Sequence, residues 1–112
     1  MMPEQNDESA ELIRSYQMVQ EQLRGNAMQI EQLQIQKGEL DSAKQEVEKG
    51  SGRVYVSIGG VMTEATKESA LKDIAEKREL SGVRLQAVNK QYAELRAKEK
   101  ELRDKITKMS KP

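Results

Sequence analysis

From Leu12 to Val47, and again from Leu71 to Met109, the sequence repeats at alternating steps of four and three residues, and between these runs its period falls to two. The first run is Leu12, Tyr16, Val19, Leu23, Asn26, Ile30, Leu33, Lys37, Leu40, Lys44 and Val47, of which eight of eleven are apolar. The second is Leu71, Ile74, Arg78, Ser81, Leu85, Val88, Tyr92, Leu95, Glu99, Leu102, Ile106 and Met109, nine of twelve apolar. A mean step of 3.5 residues lays such positions along one narrow helical stripe, which is buried best by a second stripe of the same kind. Two stripes in one chain, joined by a short connection, cover each other antiparallel. Leu33 then lies near Leu85, Leu23 near Leu95, Tyr16 near Leu102 and Leu12 near Ile106.

Composition agrees with long helices rather than a globular core. The 112 residues include three Tyr, no Phe and no Trp, and 34% are charged. Without large apolar side chains a compact interior cannot be filled. The net charge of +0 hides an asymmetry: residues 1–50 carry ten acids and five bases, residues 51–112 nine acids and fourteen bases. Opposite signs favour pairing of the two segments with each other. The bases of the second segment alternate with acids, and Tyr55 and Tyr92 are its only candidates for base stacking, which argues against nucleic-acid binding. The seams are narrow and the polar faces carry both signs, which argues against a membrane role. With no Cys and no apolar run of signal or membrane-span length, a cytoplasmic protein is expected.

The segment between the seams reads as a β-hairpin. Arg53-Val54-Tyr55-Val56-Ser57-Ile58 and Val61-Met62-Thr63-Glu64-Ala65-Thr66 flank Gly59-Gly60, a dipeptide suited to a two-residue turn with positive φ. Folded there, Ile58 pairs with Val61, Val56 with Thr63 and Val54 with Ala65 on one nearly apolar face. Ser57, Met62, Tyr55, Glu64, Arg53 and Thr66 take the other. Thr66 fits a helix N-cap with Glu68 in the first turn, and Gly50-Ser51-Gly52 a helix stop.

The predicted layout is a disordered N-terminus over 1–8, helix 1 over 9–49, a loop and hairpin over 50–66, helix 2 over 67–109 and a tail over 110–112. The fold class is mostly α: a long antiparallel two-helix coiled coil with a single β-hairpin at its closed end. A pliable point is expected where Lys37-Gly38 faces Ser81-Gly82, because helix-interior Gly costs about 1 kcal/mol relative to Ala.

Two surfaces are left over. The helices spend their stripes on each other, so nothing remains to cover Val54, Val56, Ile58 and Val61, and a lone two-stranded sheet is marginal in water. The hairpin, with Val54, Val56, Ile58, Gly59, Gly60, Val61, Thr63 and Ala65, is therefore expected to join hairpins of other subunits in a closed β-barrel platform. At the free tip Leu12, Ile13 and Tyr16 meet Leu102, Ile106 and Met109 with no third element to cap them, a mixed apolar end suited to weak, promiscuous binding. No catalytic residue, cofactor or metal site is expected: there is no His, no Cys, no phosphate loop and no acid cluster. A second reading stays open on these grounds, a scaffolding coiled coil that binds one partner helix along its seam, with the hairpin acting only as a turn.

The order helix, single hairpin, helix resembles the β class of prefoldin, most closely in the stretch from Val54 through Gly59-Gly60 to Thr66-Lys67-Glu68 and Leu71. That resemblance implies an ATP-independent holdase, not an enzyme, in which two α-type and four β-type subunits form a barrel platform bearing coiled-coil tentacles. It further implies that the tips, here Leu12, Ile13, Tyr16, Leu102, Ile106 and Met109, capture unfolded or nascent chains and deliver them to a group II chaperonin.

Overall fold

Runs rich in Glu, Gln, Lys, Leu and Ala, all good helix formers, separate into two long segments on either side of the β-branched stretch at 54–65. The computed structural model, which describes residues 4–50 and 52–110, forms helices from both. Helix α1 spans Glu4–Lys49, strand β1 Val54–Ile58, strand β2 Val61–Ala65 and helix α2 Lys67–Ser110. Helix α1 begins at Glu4, so residues 4–8, expected to be disordered, are helical. The absence of an apolar period there hid a different signal, the acids Asp7 and Glu8, which complement the positive end of the helix dipole. Residues 1–3, 51, 111 and 112, including parts of the expected disordered terminus and tail, lie outside the described residues.

The helix ends carry the expected punctuation. The Ser69 amide donates to Thr66 Oγ1 at 3.0 Å and the Ala70 amide to the Thr66 carbonyl at 2.9 Å, so Thr66 caps α2. At the end of α1 the Gly50 amide donates to the Glu46 carbonyl at 3.0 Å. The Lys67 ammonium adds hydrogen bonds to the Glu48 carbonyl at 2.9 Å and the Gly50 carbonyl at 3.4 Å. Between the helices, β1 and β2 pair antiparallel in the predicted register, Val54 with Ala65, Val56 with Thr63 and Ile58 with Val61. Gly59 and Gly60 make the turn with φ of 54° and 84°, both in the left-handed region that favours Gly.

The chain divides into two compact units. One joins α1 up to Ile30 with α2 from Ala87. Its core is Val19, Leu23 and Leu102, with Leu12, Tyr16, Tyr92 and Leu95 packed around them. Leu23 and Leu95, and likewise Tyr16 and Leu102, come together as the antiparallel seam requires. Burial of each of Val19, Leu23 and Leu102 contributes roughly 1.5–3 kcal/mol. Asn26 interrupts this seam, and its buried Nδ2 has no hydrogen-bond partner among the described residues.

The second unit, Glu31–Gln86, holds the hairpin and the adjoining parts of both helices. Leu33, Ala70 and Ile74 are buried. Its seam corrects the sequence reading at two positions. Lys37 and Lys44 were placed on the stripe, yet both are exposed, and Ala43, with Leu40 and Val47, takes the inward place. A Lys ammonium is costly to desolvate without a partner, so the helix presents the neighbouring small apolar residue instead. On α2 the polar seam residue Ser81 is buried at 5% exposure, and its hydroxyl donates to Gln36 Oε1 at 3.3 Å. One helical turn away Arg78 Nε lies 2.8 Å from Asp41 Oδ1, close enough for an ion pair but without hydrogen-bond alignment. This is the one ion pair between α1 and α2 among the described residues, so the opposite charges of the two segments act mainly as a diffuse field.

Gly38 sits on the exposed side of α1 in this stretch, and a methyl group added there would meet nothing within 4 Å. Gly38→Ala should therefore raise stability by about 1 kcal/mol, the helix-propensity difference. Urea denaturation followed by circular dichroism checks this. An unchanged or lowered midpoint would mean that residue 38 is not held in a regular helix.

Candidate functional site

The hairpin residues singled out from the sequence fall into two groups. Val54 and Val56 are half-buried and line a recess whose other walls include Leu40, Ala43, Val47, Ala70 and Ile74. Ala65, the partner of Val54, is half-buried as well. The expectation that nothing in the chain covers this face thus needs correction for its inner half. With Ala43 rather than Lys44 turned inward, and with the small Ala70 buried near the start of α2, the helices leave apolar surface that the first residues of β1 can use. Thr63 is exposed.

Towards the turn the situation reverses. Ile58 is 66% exposed and its partner Val61 64%. The opposite face, to which the alternation assigned Tyr55 and Met62, exposes Met62 at 66% and Tyr55 at 50%. These two were left out of the expected assembly residues, which were drawn from the nearly apolar face alone. Met62 pairs with Ser57, and Tyr55 lies diagonally within reach of it, so the two make one apolar patch. Arg53 and Glu64 flank it as an exposed ion pair at 3.6 Å. The sheet has two strands, so one edge of each is unpaired among the described residues.

The residues assigned to the tip lie in the unit formed by the beginning of α1 and the end of α2, and they too divide. Leu102, at 8% exposure, belongs to the core with Val19 and Leu23, which corrects its assignment to an open surface. A seam residue two turns inside the helix end is covered from both sides, a distinction that heptad position alone does not make. Leu12 and Tyr16 are half-buried against the same core. Ile13, 45% exposed, and Met109, 37% exposed, line one recess with Ile106, Ser9 and Ser110. The accessible apolar surface of this unit therefore includes Ile13, Ile106 and Met109, together with Met18 and Met28, both more than half exposed on α1. Both surfaces are apolar and neither brings together an acid, a base and a nucleophile. What they offer is contact: open strand edges at the hairpin, and the adaptable Met109 beside Ile13 and Ile106 at the helix ends. No helix among the described residues is long and apolar enough to cross a membrane.

Comparison with known proteins agrees with this layout. A family model described as Prefoldin subunit matches residues 10–112. The prefoldin subunit beta of Pyrococcus furiosus is 35% identical over 95 residues, which cover 83% of this chain and 81% of that protein. The prefoldin subunit beta of Methanosarcina acetivorans is 29% identical over 96 residues, covering 84% and 82% respectively. The crystal structure of the prefoldin beta subunit from Thermococcus strain KS-1 matches with a TM-score of 0.83 at 28% identity, over 94% of this chain and 95% of that one. The match runs through both helices and the hairpin between them, and the chain belongs to the prefoldin subunit family, of the β type.

Proposed function

We propose that this chain is the β-type component of an ATP-independent holdase, assembled through its hairpin and binding unfolded proteins at the paired ends of its helices. Prefoldin subunits are chaperone components that associate as hetero-oligomers. The finer reading is a hexamer of two α-type and four β-type subunits, working in the cytoplasm and delivering unfolded or nascent chains to a group II chaperonin.

The observation that carries the assembly step is the exposure of Ile58, Val61, Tyr55 and Met62 on a two-stranded sheet with open edges. Large apolar side chains on both faces of a hairpin tip are a liability for a lone chain and an asset for one that adds its strands to a larger sheet. The assembly residues are then Val54, Val56, Ile58, Val61, Thr63 and Ala65 around the Gly59-Gly60 turn, with Tyr55 and Met62 added from the other face. Client binding falls to Ile13, Ile106 and Met109, supported by Leu12 and Tyr16, because a shallow apolar recess with one flexible Met wall accepts varied apolar segments weakly.

Ile58→Asp tests the first step, since burying an unpaired carboxylate costs several kcal/mol. On mixing with an α-type subunit the wild type should reach the mass of a hexamer by sedimentation, and the variant should remain as separate species. If the variant assembles as well as the wild type, the hairpin is only a turn and the scaffold reading stands. The second step is tested by Ile13→Gln with Met109→Gln, which spares buried Leu102. Assembly should be retained, and suppression of client aggregation without ATP should fall by at least about tenfold in effective concentration, as loss of roughly 1.4 kcal/mol implies. Unchanged suppression would remove the helix ends as the client site.

A further inference from the structure

Lys67 is the first residue of α2, yet its ammonium serves the end of α1. It donates to the Glu48 carbonyl at 2.9 Å and the Gly50 carbonyl at 3.4 Å. The last carbonyls of a helix lack intrahelical partners and carry the negative end of its dipole, so a cation is favoured there. In most helices that cation comes from the last turn itself. Here Lys49 already occupies the last turn, and the second cation reaches across 17 and 19 residues of sequence. The contact closes the segment between Gly50 and Lys67 into a ring that contains the whole β-hairpin. The adjacent residue, Thr66, fixes the other side of the ring through the Ser69 amide. Helix end and helix start are thus tied together at the point where the hairpin leaves them.

The hairpin has few other restraints on its direction. Its inner residues Val54, Val56 and Ala65 are only half-buried, and the Arg53–Glu64 pair is exposed and lies within the hairpin itself. Gly50 and Gly52 flank its start. We propose that Lys67 is a positioning residue for assembly, which pins the end of α1 to the start of α2 and so presents the strands at one angle to the strands of partner subunits. This rests on the reading above, in which the hairpin is the assembly element. The chemistry required is a cationic donor on a long stem. Arg supplies both, whereas Met keeps the stem and removes the donor.

The test uses the full chain as wild type, Lys67→Arg and Lys67→Met. Two quantities are measured: amide hydrogen exchange over residues 54–65 in the free chain, and the affinity for an α-type subunit by sedimentation. Lys67→Met should speed hairpin exchange and weaken association by about three- to tenfold each, the range expected for one net hydrogen bond. Exchange along the helical seams should not change, and Lys67→Arg should stay close to the wild type in both measurements. Lys67→Met associating like the wild type would overturn the proposal. So would weakened association with unchanged hairpin exchange, which would make Lys67 a direct partner contact instead. Failure of the wild type itself to associate would overturn the assembly reading, and this proposal with it.

Discussion

Two short antiparallel strands cannot bury both of their faces and satisfy both of their outer edges, and in this protein that deficit is only half repaired within the chain. Leu40, Ala43, Val47, Ala70 and Ile74 shelter the first half of β1, leaving Val54 and Val56 half-buried. Past Ser57 no such shelter remains, and Ile58, Val61 and Met62 are each about two-thirds exposed. Strand pairing with other chains resolves exposed edges and exposed faces together, because an added strand brings both backbone partners and side chains. A turn that merely reversed the chain would need none of these apolar residues.

The helices face no such deficit along their seams. Val19, Leu23, Leu102 and Val88 are buried in one unit, and Leu33, Ala70 and Ile74 in the other, so helix packing within each unit is satisfied by the chain's own residues. Outside the seams, Ile13 and Met109 stand around one recess with Ile106, and Met18, Met28, Ile35, Leu80 and Val83 are exposed on the helices. The polar interruptions, Asn26 in one unit and Ser81 with Gln36 in the other, cost apolar burial, and only the second is compensated by a hydrogen bond. On the proposed function, the strands would make a strong, specific contact and the helix ends a weak, general one.

Much of this was legible in the sequence because its signals are local and periodic. The Gly59-Gly60 dipeptide fixes the turn, and a two-residue turn with alternating flanks fixes the register, which the structure reproduces pair for pair. The α2 seam is read correctly from Leu71 to Ile106, every position of it being buried or half-buried. The α1 seam fails at Lys37 and Lys44, where an ammonium is costly to desolvate, and at the second Ala43 takes the inward place. Leu102 was misread as open because heptad position does not reveal how far a partner helix extends beyond it. The Lys67 bridge was invisible for another reason: its acceptors are backbone carbonyls, which carry no residue identity. Tyr55 and Met62 were placed on the second face but not among the assembly residues, because only the nearly apolar face was expected to need a partner.

The central claim, that other subunits cover the outer half of the hairpin on both faces, is tested most directly by oxidative footprinting of the methionines. Met18, Met28 and Met62 are all more than half exposed in the chain and should oxidise at comparable rates when it is alone. On saturation with an α-type subunit, with assembly verified by mass, Met62 should become protected while Met18 and Met28 on the helices stay reactive. Equal reactivity of Met62 in the free and assembled protein would contradict the claim.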